Sequence, residues 1–277
     1  CDAATVSVTV DPPVIVANDD PYTGINGYTG SSTVGNVLGN DLLNGLAAIA
    51  SEVSITVTYD PADGVTINAS TGTVTVAAGT AAGTYTMTYT LCEKLNPGNC
   101  DGATVTVVVV PPVIEANDDL YTGINGYTGS STVGNVLGND FLNSLAVKGS
   151  EVSITVTYDP PDGVTINAST GTVTVAAGTA AGTYTMTYTI CEKLNPGNCD
   201  AALVTVMVTS TPIVANDDLY TGINGYTGSP TVGNVLTNDL LNGLAATASE
   251  VSIPVTYDPP DGVTLNGTTG TVTVAAG

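Results

Sequence analysis

The residues best suited to chemistry in this chain are carboxylates. They fall in three short clusters: Asn18-Asp19-Asp20, Gly39-Asn40-Asp41 and Asp60-Pro-Ala-Asp63-Gly64. Adjacent carboxylates repel each other unless a cation sits between them, and Ca²⁺ takes six to eight oxygen ligands of this kind. Asp19, Asp20, Asn40 and Asp41 are therefore candidate calcium ligands, with carbonyls or waters completing the shell. The same residues recur as Asp118, Asp119, Asn139 and Asp140, and again as Asp217, Asp218, Asn238 and Asp239. A cap is the competing role for Asn40-Asp41. Asp60 and Asp63, with Asp159, Asp162, Asp258 and Asp261, rank behind, because Asp-Pro-x-Asp-Gly makes a good turn without any ligand. No EF-hand loop or glycine-rich calcium nonapeptide is present.

Cysteine is the second chemistry. Cys92 and Cys100 bracket the turn-rich Glu-Lys-Leu-Asn-Pro-Gly-Asn, as do Cys191 and Cys199. Two Cys per unit and no His argue against zinc. Cys92–Cys100 and Cys191–Cys199 are expected disulfides, implying an oxidising compartment. Cys1 matches Cys100, and its expected partner is a Cys upstream of the chain.

Much else is excluded. With no His, neither a Ser-His-Asp nor a Cys-His site can be assembled. Paired carboxylates can in principle hydrolyse glycosides, but with no Trp and one Phe there is little aromatic platform for a sugar. The chain is not expected to be an enzyme. Lys94, Lys148 and Lys193 face 25 acidic residues, for a net charge of −22. That balance excludes nucleic acid and anionic membranes as partners. It also favours bound cations, since self-repulsion on this scale opposes a compact state. No apolar run reaches the length of a membrane span.

The clusters recur because the chain does. Ala-Asn-Asp-Asp begins at Ala17, Ala116 and Ala215, a period of 99 residues. Between 17–115 and 116–214 only 16 positions differ, concentrated at 45–50 and 110–115. The first region reads as a surface loop and the second as a linker. The expected organisation is 1–16 as the end of an upstream repeat, 17–115 and 116–214 as full repeats, and 215–277 as a shortened one, a window on a longer array.

Elements of period two must position these groups. Val53-Ser-Ile-Thr-Val-Thr-Tyr59 and Thr84-Tyr-Thr-Met-Thr-Tyr-Thr-Leu91 alternate apolar and hydroxyl residues. Val65–Asn68 and Thr73–Val76 flank a turn signal and read as a hairpin. Ala103–Val110 closes the repeat. Leu42–Ala50 has room for one helical turn at most. The expected fold is all-β: tandem immunoglobulin-like Greek-key β-sandwich modules of 99 residues. Asn68-Ala-Ser70, Asn167-Ala-Ser169 and Asn266-Gly-Thr268 are formal glycosylation sequons, read as coincidence.

The run Ala17-Asn-Asp-Asp-x-Tyr22 with Gly35-Asn-Val-Leu-Gly-Asn-Asp41 resembles the opening of immunoglobulin-like and cadherin-like repeats in giant bacterial surface adhesins. The run Tyr89-Thr-Leu-Cys-Glu93 with Asn99-Cys-Asp-x-Ala-x-Val-Thr-Val107 resembles repeats of Bacteroidota proteins, including gliding-motility adhesins of the SprB kind. The resemblance implies a cell-surface location, type IX export, and calcium at Asp19, Asp20 and Asp41. The expected function is a structural stalk, stiffened by calcium at module junctions and by one disulfide per module. Its partners would be other copies of the repeat. A self-assembling filament of laterally associated arrays is the alternative, and glycan binding by each module is the third.

Overall fold

The computed structural model describes residues 1–258 and 260–277. In the first repeat the strands are β1 (Ile15–Val16), β2 (Asp20–Asn26), β3 (Ser31–Asn36), β4 (Leu42–Leu43), β5 (Leu46–Ala47), β6 (Val53–Tyr59), β7 (Val65–Ile67), β8 (Thr73–Val76), β9 (Gly83–Glu93) and β10 (Cys100–Val110). One sheet runs β2-β10-β9-β6 and the facing one β3-β8-β7. A third small sheet, β1-β4-β5, closes one end. All pairings are antiparallel except β2 with β10, which is parallel. The second repeat reproduces this topology.

Period-two patterning explains the sandwich. Along β9, Met87, Tyr89 and Leu91 point inward and the intervening threonines outward. Val105, Val107 and Val109 of β10 meet them, with Val65, Ile67, Val74 and Val76 from the opposite sheet. Burying each Val or Leu side chain contributes roughly 1.5–3 kcal/mol. Outward threonines pair across strands, as in Thr66 Oγ1 to Thr75 Oγ1 at 3.0 Å. The hairpin expected from Val65 to Val76 forms as β7 and β8.

Two details refine the sequence reading. The segment from Leu42, given room for one helical turn at most, holds none and forms the β4–β5 hairpin, because Asn44 and Gly45 take left-handed backbone (φ 53° and 76°) that reverses the chain. The packing unit also begins two residues before Ala17: Ile15 belongs to the first core, and Ile114 to the second. Each pairs with the β4 strand of its repeat.

Residues 1–10 carry no strand, and Val6, Val8 and Val10 are exposed where the matching Val105, Val107 and Val109 are buried. Residues 213–277 form the counterparts of the β1-β4-β5 sheet and of the β3-β8-β7 sheet. Counterparts of β9 and β10 do not occur within them. Accordingly 218–224, the match of β2, has no ladder partner and no strand assignment.

Candidate functional site

The acidic groups gather inside each repeat, around one tyrosine. Tyr89 is 1% exposed, and its hydroxyl lies 2.9 Å from Asp41 Oδ2, 3.1 Å from Asp41 Oδ1 and 3.3 Å from Asp20 Oδ2. Asp20 enters at the start of β2, where it pairs in register with Val105. Asp41 follows a single 3-10 turn, Val37–Gly39. The N-cap of that turn is Asn36, whose side chain accepts from Leu38 N, and Asn40 stands at its C-cap.

Further bonds tie the cluster to the chain's entry into the repeat. Asn18 N donates to Asp41 Oδ1 at 2.8 Å, and Thr104 N to Asp19 Oδ1 at 2.8 Å. Ala17 N donates to Asp101 Oδ2. Asn40 Nδ2 donates to the Asp19 carbonyl, and Asn18 Nδ2 to the Asn40 carbonyl. Tyr22 donates to Asp20 Oδ1. The Tyr22 ring lies against Gly35, where a Cβ would come within 2.1 Å of it; only glycine admits the ring.

The electrostatics follow from burial. Desolvation, then the Asp41 charge, pushes the Asp20 carboxyl up to about 6. Desolvation also raises Asp41, against the lowering effect of the Asn18 N–H and Tyr89 hydroxyl bonds. Tyr89 is pushed well above the ordinary phenol range, mainly by desolvation and the Asp41 bond, and stays protonated. One phenolic proton thus serves several carboxylate oxygens.

In the second repeat Tyr188 donates to Asp140, Tyr121 to Asp119 Oδ1 at 3.1 Å, and Leu203 N to Asp118. Asp119 Oδ2 and Asn139 Oδ1 are buried there without any donor. In the third, Asn216 N donates to Asp239, Tyr220 to Asp218, and Asn238 Nδ2 to the Asp217 carbonyl. The other carboxylates lie elsewhere. Asp63 Oδ1 accepts from Val65 N, Asp162 from Val164 N and Asp261 from Val263 N, each as a turn residue.

This donor set does not fit a calcium ion at the module junction. The residues that touch across the junction are different ones, and among the described residues no three acidic, Cys or His side chains converge as a metal site. The oxygens of Asp19 and Asp41 are largely engaged by backbone N–H and tyrosine.

The junction itself is built from groups the sequence reading did not single out. Tyr28 donates to Glu151 Oε1 at 3.1 Å, Asn26 Nδ2 to Asn143 Oδ1 at 3.0 Å, and Ala82 N to Asn195 Oδ1 at 2.6 Å. The Tyr28 ring packs on the second repeat's core. Tyr28 sits in a tight turn where Asn26 Oδ1 accepts from Tyr28 N and Thr29 N. Gly27 anchors this turn: a Cβ there would fall 2.1 Å from the Thr80 carbonyl oxygen. The linker is also fastened. Asn198 Nδ2 donates to the Pro112 carbonyl and Asn143 N to the Val113 carbonyl. The next junction repeats the first: Tyr127 donates to Glu250 at 2.6 Å, and Asn125 to Asn242 at 2.7 Å.

Both expected disulfides are present. Cys92 and Cys100 face each other in the β9–β10 ladder, and Cys191 and Cys199 do so in the second repeat. Cys1 is a free, exposed thiol. No helix among the described residues is long and apolar enough to cross a membrane.

No protein-family model matches the sequence, and no curated protein matches it. Among solved structures the chain is similar to tandem cadherin ectodomains. Mouse Cadherin-23 EC22-24 is 12% identical with a TM-score of 0.36, over 96% of this chain and 88% of that one. The protocadherin GammaB4 extracellular domain is 14% identical with a TM-score of 0.35, over 95% of this chain. The chain spans 44% of that protocadherin. The human Desmocollin-1 ectodomain is 10% identical with a TM-score of 0.33, over 96% of this chain and 54% of that one.

Proposed function

We propose that this chain is a stiff stretch of an extracellular structural array, a stalk or filament of a surface adhesin, and not an enzyme. The observation that carries the reading is the recurrence of one junction. Tyr-to-Glu and Asn-to-Asn bonds join repeat one to two, and two to three, at the same sequence offsets. Two bonds that recur at the same offsets favour one rotation per repeat, and repeats then add length in a regular line. The tied linker and the Tyr28 ring on the neighbouring core support stiffness without an ion. Disulfides in both complete repeats fit an oxidising, extracytoplasmic setting. Bacterial origin, type IX export and an adhesive tip rest on the sequence resemblance alone. Small-angle scattering of the chain tests the reading: a rod-like distance distribution supports it, and a broad ensemble of bent chains contradicts it.

A second reading, calcium held within the repeat, is favoured by Asp119 Oδ2 and Asn139 Oδ1, buried without donors. Its ligands would come from Asp19, Asp20, Asn40 and Asp41, and from their counterparts in the other repeats. Such an ion would neutralise the buried carboxylates. Thermal unfolding with calcium against chelator tests it: a rise of several degrees supports the ion, and coincident curves remove it.

A further inference from the structure

We infer that Asn68, Asn167 and Asn266 are acceptor sites for an N-linked glycan, one per repeat. The inference rests on the extracytoplasmic setting proposed above, because this modification belongs to surface loops of secreted proteins. By sequence alone the three triplets read as coincidence, and their surroundings point the other way. Each lies in the turn of a two-stranded hairpin, β7–β8 or its counterpart. Asn68 N donates to the Thr73 carbonyl and closes the hairpin. Asn68 Oδ1 accepts from Ser70 N at 2.9 Å and from Thr71 N at 3.1 Å. The side-chain oxygen is thus held by the turn, while Nδ2 has no partner among the described residues. Asn167 and Asn266 repeat these bonds. An idle Nδ2 is not the habit of this repeat. Asn18, Asn26, Asn36, Asn40, Asn96 and Asn99 all donate through Nδ2. Of the eight asparagines in 17–115, Asn44 and Asn68 are the exceptions, and only Asn68 begins a sequon.

The hydroxyl two residues on is also idle. Ser70, Ser169 and Thr268 are exposed, and their hydroxyls bond to nothing among the described residues, whereas those of Thr71 and Thr73 bond each other. Between the first and third repeats Ala69-Ser70 becomes Gly267-Thr268, and the hydroxyl survives the double change. The fold uses the Asn oxygen and the backbone N–H groups that follow it. It leaves free the two groups that define the acceptor motif, the amide nitrogen and the hydroxyl. Asn68 and Asn167 are both exposed although a filled junction follows the first repeat and precedes the second, so packing in the array leaves the site open.

The donor is an oligosaccharide carried on a lipid pyrophosphate. Nδ2 forms a bond to the anomeric carbon as the bond from that carbon to the pyrophosphate oxygen breaks. One amide proton passes to a base of the transferase, and the lipid pyrophosphate leaves. One glycan every 99 residues places a bulky, hydrated group at the same point of each repeat and holds neighbouring arrays apart, as a single stalk requires.

Mass spectrometry of the protein isolated from its own cells tests this. Peptides containing Asn68, Asn167 and Asn266 are expected to carry a glycan. Enzymatic release in heavy-oxygen water is expected to leave an aspartate bearing that oxygen at each position. Ser70→Ala removes the acceptor hydroxyl and keeps the turn, because Ser70 bonds Asn68 through its backbone N. It is expected to abolish the glycan at Asn68 and spare those at Asn167 and Asn266, while Ser70→Thr retains all three. Bare peptides at all three positions overturn the inference. So does a glycan at Asn68 that survives Ser70→Ala. Neither result touches the stiff-array reading, which fails separately if inter-repeat distances are broad.

Discussion

The hydroxyl of Tyr28 donates to Glu151 across 123 residues of sequence, and Tyr127 meets Glu250 at the same offset. Tyr28 thereby contributes both a polar bond and apolar packing to its neighbour. Tyr28→Ala is expected to loosen the first junction while both sandwiches stay folded. Tyr28→Phe should keep the packing and lose only the bond, at a cost of about 1 kcal/mol to docking. Scattering profiles of the two variants check the ordering: alanine bends the chain more than phenylalanine does.

Asp20 sets the pH response of the first repeat, as Asp119 does that of the second. Its carboxyl titrates near 6 in the folded repeat, above its unfolded value of 3.8. The folded state therefore binds more protons between those values, and stability is lost as pH rises through about 6. In chelator, acidification from neutral pH to about 4.5 is expected to raise the melting temperature by a few degrees. Asp20→Asn should raise it at neutral pH and flatten the dependence of the first repeat.

Tyr89→Phe removes the hydroxyl that serves Asp41 and Asp20. With buried carboxylate oxygens left short of a donor, the first repeat is expected to lose about 2 kcal/mol. Tyr188→Phe should do the same to the second repeat. Chemical denaturation of each variant checks the figure, and an unchanged midpoint would remove the tyrosine from the account of stability.

The disulfide closes a short loop, so its removal has a bounded cost. Cys92→Ser with Cys100→Ser is expected to destabilise the first repeat by about 2.6 kcal/mol in the chain-entropy model. The β9–β10 ladder continues well beyond the bridge, so the fold itself should persist, as circular dichroism would show.

Period-two alternation made the strands and the sandwich legible in the sequence, and paired cysteines made the bridges legible. Asp20 and Asp41 were read as candidate calcium ligands at the module junction; the structure brings them together on Tyr89, inside the repeat. Sequence adjacency to the linker suggested the junction, whereas the parallel pairing of β2 with β10 carries Asp20 into the repeat beside Tyr89. The junction residues were missed because nothing local marks them. Asn26-Gly27-Tyr28 reads as an ordinary turn, and its partner Glu151 belongs to the next repeat. Near-identity of the repeats hid the signal further, since residues kept for docking look like residues kept by duplication.

The central claim is that the repeats are held at one fixed angle by protein contacts. It is tested most directly by the distance between spin labels at exposed Thr66 and Thr165, matching positions in the two complete repeats, in chelator. A single narrow distribution that broadens with Tyr28→Ala is the expected result. A distribution already broad in the unaltered chain, and unchanged by that substitution, would contradict the claim.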